Sequence, residues 1–122
     1  MGKPTVLILD DDPLHLKIYG WIVDRGDFRA LTVLAKNGGA DLPTSEHVDA
    51  VVLDYRLGSS VTASDLLPSI RHTYPAAPII ILSELEWMPA DVKGKAASFV
   101  RKGEPQELLN VLRALTQQSS AV

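Results

Sequence analysis

Residues Thr5–Pro13 read TVLILDDDP: a continuous apolar and β-branched run, three aspartates, then a proline. The run shows no in/out alternation. That suits a strand buried on both faces, as in a parallel sheet. Asp12 and Pro13 are the residue types of a helix start, Asp12 as N-cap and Pro13 at the first helical position. The segment therefore reads as strand, acidic turn, helix. The helix is expected to place Leu14, Ile18, Trp21 and Ile22 on one face and to stop at Gly26.

The same order recurs outward from it. Phe28–Ala35 reads as a second strand. Asn37–Ser45 holds two glycines and a proline, so a helix there is expected to be short or broken. Ala50–Leu53 is a third apolar strand, ending at Asp54. A loop over Gly58–Ala63 leads to a helix capped by Ser64 or Asp65 that carries Leu66, Leu67 and Ile70, with Pro68 tolerated in its first turn. Pro78–Leu82 is a fourth strand, ending at Ser83. Met88–Lys95, with Pro89 and Gly94 inside it, allows at most a short helix. Ala97–Arg101 is a fifth strand, followed by Lys102. Pro105 opens a last helix whose Leu108, Leu109, Leu112 and Leu115 share a face. Such alternation predicts an α/β fold, a parallel sheet wound on both faces by helices, because parallel strands need crossover connections.

Composition agrees with one globular domain. The chain has 122 residues and a net charge of -3, with 46% hydrophobic and 22% charged residues. The domain is expected to span 1–118, with 119–122 as a short tail. Cysteine is absent, which excludes disulfides and thiolate metal sites. No apolar run approaches the length of a membrane span, and the N-terminus is not expected to be a signal peptide. The twelve Lys and Arg are scattered, which argues against direct nucleic-acid binding. Neither a dinucleotide-binding nor a P-loop glycine motif occurs.

In a doubly wound sheet, sites form at the carboxyl ends of the strands. Here those ends carry Asp10, Asp11 and Asp12, then Asp54, Ser83 and Lys102. Singly, each has a structural reading: the aspartates as helix caps, Asp54 as a turn residue. Together they imply a site. Carboxylates held a few ångströms apart repel, and a hard divalent cation such as Mg2+ offsets that repulsion with oxygen ligands. Such a site can take a phosphoryl group on one carboxylate, with the lysine and the hydroxyl contacting phosphoryl oxygens.

These residues resemble the response-regulator receiver domain of two-component signalling, over about residues 4–116. The carrying motifs are VLILDDDP, DAVVLDYRL, PIIILS and ASFVRK, in family order and at near-family spacing. The resemblance implies a flavodoxin-like sheet in the order 2-1-3-4-5 with a shortened fourth helix. It implies Asp54 as phosphoacceptor, and Mg2+ bound by Asp10, Asp11, Asp54 and the backbone carbonyl of Arg56. Lys102 and Ser83 would contact the phosphoryl group, and Ser83 and Phe99 would switch together. The implied partners are a histidine kinase or histidine phosphotransfer protein and a downstream protein, in the cytoplasm and without membrane insertion. No enzyme activity is implied beyond the domain's own phosphoryl transfer and slow aspartyl-phosphate hydrolysis.

The sequence departs from that pattern at four places. Gly103 stands where the family has proline. Glu84 follows Ser83 where a small residue is usual, and its carboxylate is expected to oppose an incoming phosphoryl donor. The stretch from Ser83 to Lys102 is about three residues short of the family length. The loop GSSVTAS after Leu57 lacks the usual Pro-Gly and Asp-Gly turns. These departures keep a second reading open, a receiver-like interaction module that does not use phosphate. An aspartyl-phosphate hydrolase ranks last, since Arg56 occupies the position its acid/base aspartate would need.

His15, His47 and His72 are isolated in sequence and are expected at the surface. Tyr55 should point away from Asp54 by strand alternation. Tyr19 and Trp21 read as packing residues. An exposed Leu16 or Tyr19 would fit the first helix of a receiver as a kinase-docking face. Trp87 reads equally as a core aromatic or, beside Met88, as part of an exposed apolar patch.

Overall fold

Apolar runs without alternation become the middle of the sheet. The computed structural model describes residues 2–36, 39–58 and 61–120. Its strands are β1 (Thr5–Asp10), β2 (Arg29–Leu34), β3 (Ala50–Asp54), β4 (Ile79–Ser83) and β5 (Ser98–Arg101). All pair in parallel, in the order β2-β1-β3-β4-β5. Every residue of β1, β3 and β4 is buried, whereas the edge strands β2 and β5 are largely half-exposed. This is the burial expected of inner and outer strands in a two-sided sheet.

Among the described residues, three helices cover the sheet: α1 (Pro13–Arg25), α2 (Ala63–Thr73) and α3 (Pro105–Ser120). Leu16 and Val23 of α1, and Leu108 and Leu112 of α3, pack with Val6, Ile8, Val52 and Ile80 on one face. Leu66, Leu67 and Ile70 of α2 pack with Leu7, Val51, Ile79 and Ile81 on the other. Successive strand residues thus feed opposite cores.

α1 begins as its sequence predicts, with the Asp12 carboxylate accepting from Leu14 N–H at 2.9 Å and Pro13 following. Its orientation differs from expectation. Leu14, Ile18 and Trp21 are exposed, and Leu16 and Val23 face the sheet. The sheet-facing side also holds Gly20, where an added Cβ would lie 3.3 Å from Thr32 Cγ2 of β2. A small residue is what lets α1 approach β2. Leu16 is therefore not free for docking, and Trp21 is not a packing residue. Tyr19 is half-buried against the α1/α3 core. Gly26 ends the helix, and a Cβ there would run into the Leu109 side chain, so it also serves the close contact between α1 and α3.

α2 starts earlier than its sequence suggests. Thr62 is the N-cap, and Asp65 is its capping-box partner, accepting from Thr62 N–H at 2.9 Å. Pro68 consequently lies inside the helix rather than in its first turn. Among the described residues, the β2–β3 connection contains no helix. Ala40 and Leu42 pack on the core there, and the Tyr74 hydroxyl donates to the Pro43 carbonyl. Asn37 and Gly38, part of the expected short helix, lie outside the described residues, as do Ser59 and Ser60 of the loop after Leu57.

The expected shortened fourth helix is reduced further, to turns. Val92, Lys93 and Lys95 N–H donate to Pro89, Ala90 and Val92 carbonyls at 3.0–3.4 Å, three residues back each time. Two internal breakers leave too little chain for a continuous helix. α3 runs through Ser120, into the segment expected as a tail.

Candidate functional site

The parallel sheet places the carboxyl ends of β1, β3, β4 and β5 along one edge, where the residues between β1 and α1 also lie. Asp10 ends β1, Asp54 ends β3 and Ser83 ends β4. All three are buried, at 2%, 3% and 4% exposure. Asp11 is exposed beside them. Carboxylate oxygens of Asp10, Asp11 and Asp54 lie within 4.8 Å of one another. Lys102, one residue beyond β5, extends Nζ to 2.8 Å from Asp54 Oδ1. Its backbone N–H donates to Ser83 O at 2.8 Å, which holds the lysine against the end of β4.

An open cavity of about 660 Å3 sits over this group; its walls include Asp11, Asp54, Arg56, Ser83, Glu84 and Lys102. Arg56 follows the site on an antiparallel bridge to Thr62. Ser83 Oγ accepts from Leu85 N–H at 3.1 Å. Ser83 and Phe99 project on the same face of the sheet, where Phe99 is paired in register with Ile81 and is half-buried against the α2-side core.

The electrostatics are those of crowded acids. Burial, then the negative charge of Asp54, pushes the Asp10 carboxyl up to about 7, although Asp12 N–H donates to it. Burial pushes Asp54 up as well, against the pull of Lys102. Burial acts to lower the Lys102 ammonium, but Asp54 and Asp10 outweigh it and hold its pKa above the ordinary lysine value. One ammonium thus faces three carboxylates. That set is oxygen-only, partly buried and electron-rich, which is the chemistry of a site for a hard divalent cation.

His15 belongs to this neighbourhood, contrary to its reading as an isolated surface residue. Its Nδ1 lies 3.6 Å from Asp10 Oδ2 and its Nε2 lies 3.6 Å from Asp12 Oδ2. The Asp12–His15 spacing, one helical turn, was the available signal. His47 and His72 are exposed, as expected. Trp87 is 69% exposed, and Met88 packs on the core beside it. Tyr55 turns away from Asp54, as alternation predicts, and packs on the α2-side core.

No family model and no curated protein matches the sequence. Solved structures do. A response-regulator receiver domain from Clostridium thermocellum superposes with a TM-score of 0.75 at 18% identity, covering 97% of this chain and 98% of that one. The chemotaxis response regulator CheY4 of Vibrio cholerae gives 0.77 at 18% identity, covering 93% and 98%. A CheY-like receiver domain protein from Methanospirillum hungatei gives 0.76 at 16% identity, covering 99% and 100%. The chain has the flavodoxin-like fold of response-regulator receiver domains.

Proposed function

We propose that the chain is a two-component receiver that accepts a phosphoryl group on Asp54 and switches a protein-interaction surface. The observation that carries this reading is the pairing of Lys102 Nζ with Asp54 Oδ1 at 2.8 Å, beside the carboxylates of Asp10 and Asp11. A general ion pair would not need two further buried or adjacent acids whose repulsion has to be offset. The donor set fits Mg2+, held by Asp10, Asp11, Asp54 and the backbone carbonyl of Arg56. When bound, Mg2+ would neutralise charge arriving with the phosphoryl group.

The remaining roles fall to side chains. An Asp54 carboxylate oxygen attacks phosphorus, and the bond from phosphorus to the donor breaks with its electron pair leaving on the donor. Lys102 exchanges part of its contact with Asp54 for contact with phosphoryl oxygens. Ser83 turns its hydroxyl toward the new group, and Phe99 on the same sheet face moves with it. The phosphoryl group adds about -1.5 to -2 charge, enough to bias a two-state surface. The donor would be a histidine kinase or phosphotransfer protein in the cytoplasm, docking on the exposed Leu14, Ile18 and Trp21 of α1. A downstream protein would read the changed surface. Beyond self-phosphorylation and slow hydrolysis of the aspartyl phosphate, no turnover is proposed.

A receiver-like interaction module that does not use phosphate is the second reading. Glu84, exposed on the cavity wall, favours it. The two readings separate in a beryllofluoride titration with Mg2+, followed by amide shifts of Ser83 and Lys102. Saturable, Mg2+-dependent shifts support the receiver; no shift at either amide supports the module.

A further inference from the structure

The segment 84–97 joins β4 to β5 without a helix, and Val92 is its buried apolar anchor. One polar side chain of the segment, Asp91, collects three hydroxyls. Its Oδ1 accepts from Tyr55 Oη at 2.8 Å. Its Oδ2 accepts from Ser64 Oγ at 2.9 Å and Thr62 Oγ1 at 3.4 Å. All three donors lie in the stretch that follows Asp54. Tyr55 is the next residue in the chain; its N–H donates to Leu82 O at 2.8 Å, and its carbonyl accepts from Ala63 N–H at 2.7 Å. Tyr55 is thus held by its backbone to β4 and α2, and by its hydroxyl to Asp91.

We propose that Asp91 is a positioning residue for the loop beside Asp54. It ties the turns standing where a fourth helix would lie to Tyr55, Thr62 and Ser64, so that both segments order as one unit. Each bond is solvent-accessible and weak singly. Together they join Tyr55 and the start of α2 to the 84–97 segment through one carboxylate. The slight burial of Asp91 pushes its carboxyl up, but the Tyr55 and Ser64 hydroxyls outweigh this and hold it below the usual carboxylate value. The group is therefore ionised at neutral pH and accepts from all three. Coupling of this kind is reciprocal: a change at the loop beside Asp54 alters the 84–97 segment, and the reverse. The kinetic consequence rests on the phosphoryl-acceptor reading; the mechanical tie does not.

The test combines two readouts on the full chain as wild type, Asp91→Ala and Asp91→Asn. The first is hydrogen exchange without phosphodonor. The second is the rate of phosphoryl uptake from acetyl phosphate at saturating Mg2+, with donor concentration varied. Asp91→Ala is expected to raise exchange by at least about fivefold at Leu57 and Ala63 and equally at Val92 and Lys95. By loosening the loop beside the acceptor, it is expected to lower the maximal uptake rate by about fivefold with donor half-saturation unchanged. Asp91→Asn, which keeps an acceptor oxygen, should restore part of both. Loosening confined to 84–97, or loosening of both segments with an unchanged uptake rate, overturns the proposal. If the wild type takes up no phosphoryl group, the phosphoryl reading fails, while joint loosening of the two segments still supports the tie and separate loosening still refutes it.

Discussion

The ammonium of Lys102 reaches Asp54 past the end of an intervening strand. Asp54 ends β3, Lys102 follows β5, and β4 lies between them, yet Nζ and Oδ1 are 2.8 Å apart. The reach is set by the backbone bond from Lys102 N–H to Ser83 O, which folds the lysine over the β4 terminus. Ser83 is thereby placed beside the same pair.

Removing that ammonium leaves buried carboxylates without compensation. Lys102→Ala should destabilise the metal-free protein by about 3–5 kcal/mol, the usual cost of orphaning a buried charge. Urea denaturation at pH 7 measures it. Lys102→Ala combined with Asp54→Asn should recover much of the loss, because the unpaired charge is gone.

A pH dependence follows from Asp10. Its carboxyl is raised from 3.8 to about 7 in the folded state, so between those values the native protein binds more protons than the unfolded chain. Stability from this group is present below pH about 4 and is lost as pH rises toward about 7. Asp54, shifted in the same direction, adds to the slope. The melting temperature of the metal-free protein should therefore carry a falling component over that window. Asp10→Asn should flatten it, and Mg2+ should raise stability most at the upper end, where its ligands are deprotonated.

The orientation of α1 makes a contrast between neighbours. Leu16 is buried at 8% exposure and Trp21 is exposed at 61%, with Arg25 stacked 4.8 Å from its ring centroid. Leu16→Ala should cost about 2–5 kcal/mol. Trp21→Ala should cost no more than about 1 kcal/mol, the worth of an exposed cation–π contact. A larger cost at Trp21 than at Leu16 would mean that α1 is turned the other way.

Gly103 has φ +85°, and its N–H donates to Tyr19 Oη at 3.4 Å. Proline, fixed near φ -65° and lacking an N–H, fits neither feature. Gly103→Pro should destabilise by more than about 1 kcal/mol and slow phosphoryl uptake by displacing Lys102. Denaturation and uptake rate check the two parts.

The strands and the acidic set were legible because their signals are local. TVLIL, AVVL and PIIIL admit few alternatives to buried strands, and topology then brings their polar ends together. The faces of α2 and α3 were legible too, in Leu66, Leu67 and Ile70 and in Leu108 and Leu112, whereas the facing of α1 was not. Leu14, Ile18, Trp21 and Ile22 form a regular apolar stripe, but Leu16, Tyr19 and Val23 form another. Periodicity cannot decide which one meets the sheet; the need for a small residue against Thr32 decides it through Gly20. The N-cap of α2 was misplaced because Asp65 serves the helix start from its third position. Asp91 was invisible in sequence, since its partners lie 27 to 36 residues away.

Phosphoryl transfer to Asp54 is read by intact mass after incubation with acetyl phosphate and Mg2+, with Asp54→Asn run beside the wild type. A gain of one phosphoryl group by the wild type, lost on chelating Mg2+ and absent in Asp54→Asn, is the predicted result. An unchanged wild-type mass, or an equal gain by Asp54→Asn, would contradict it.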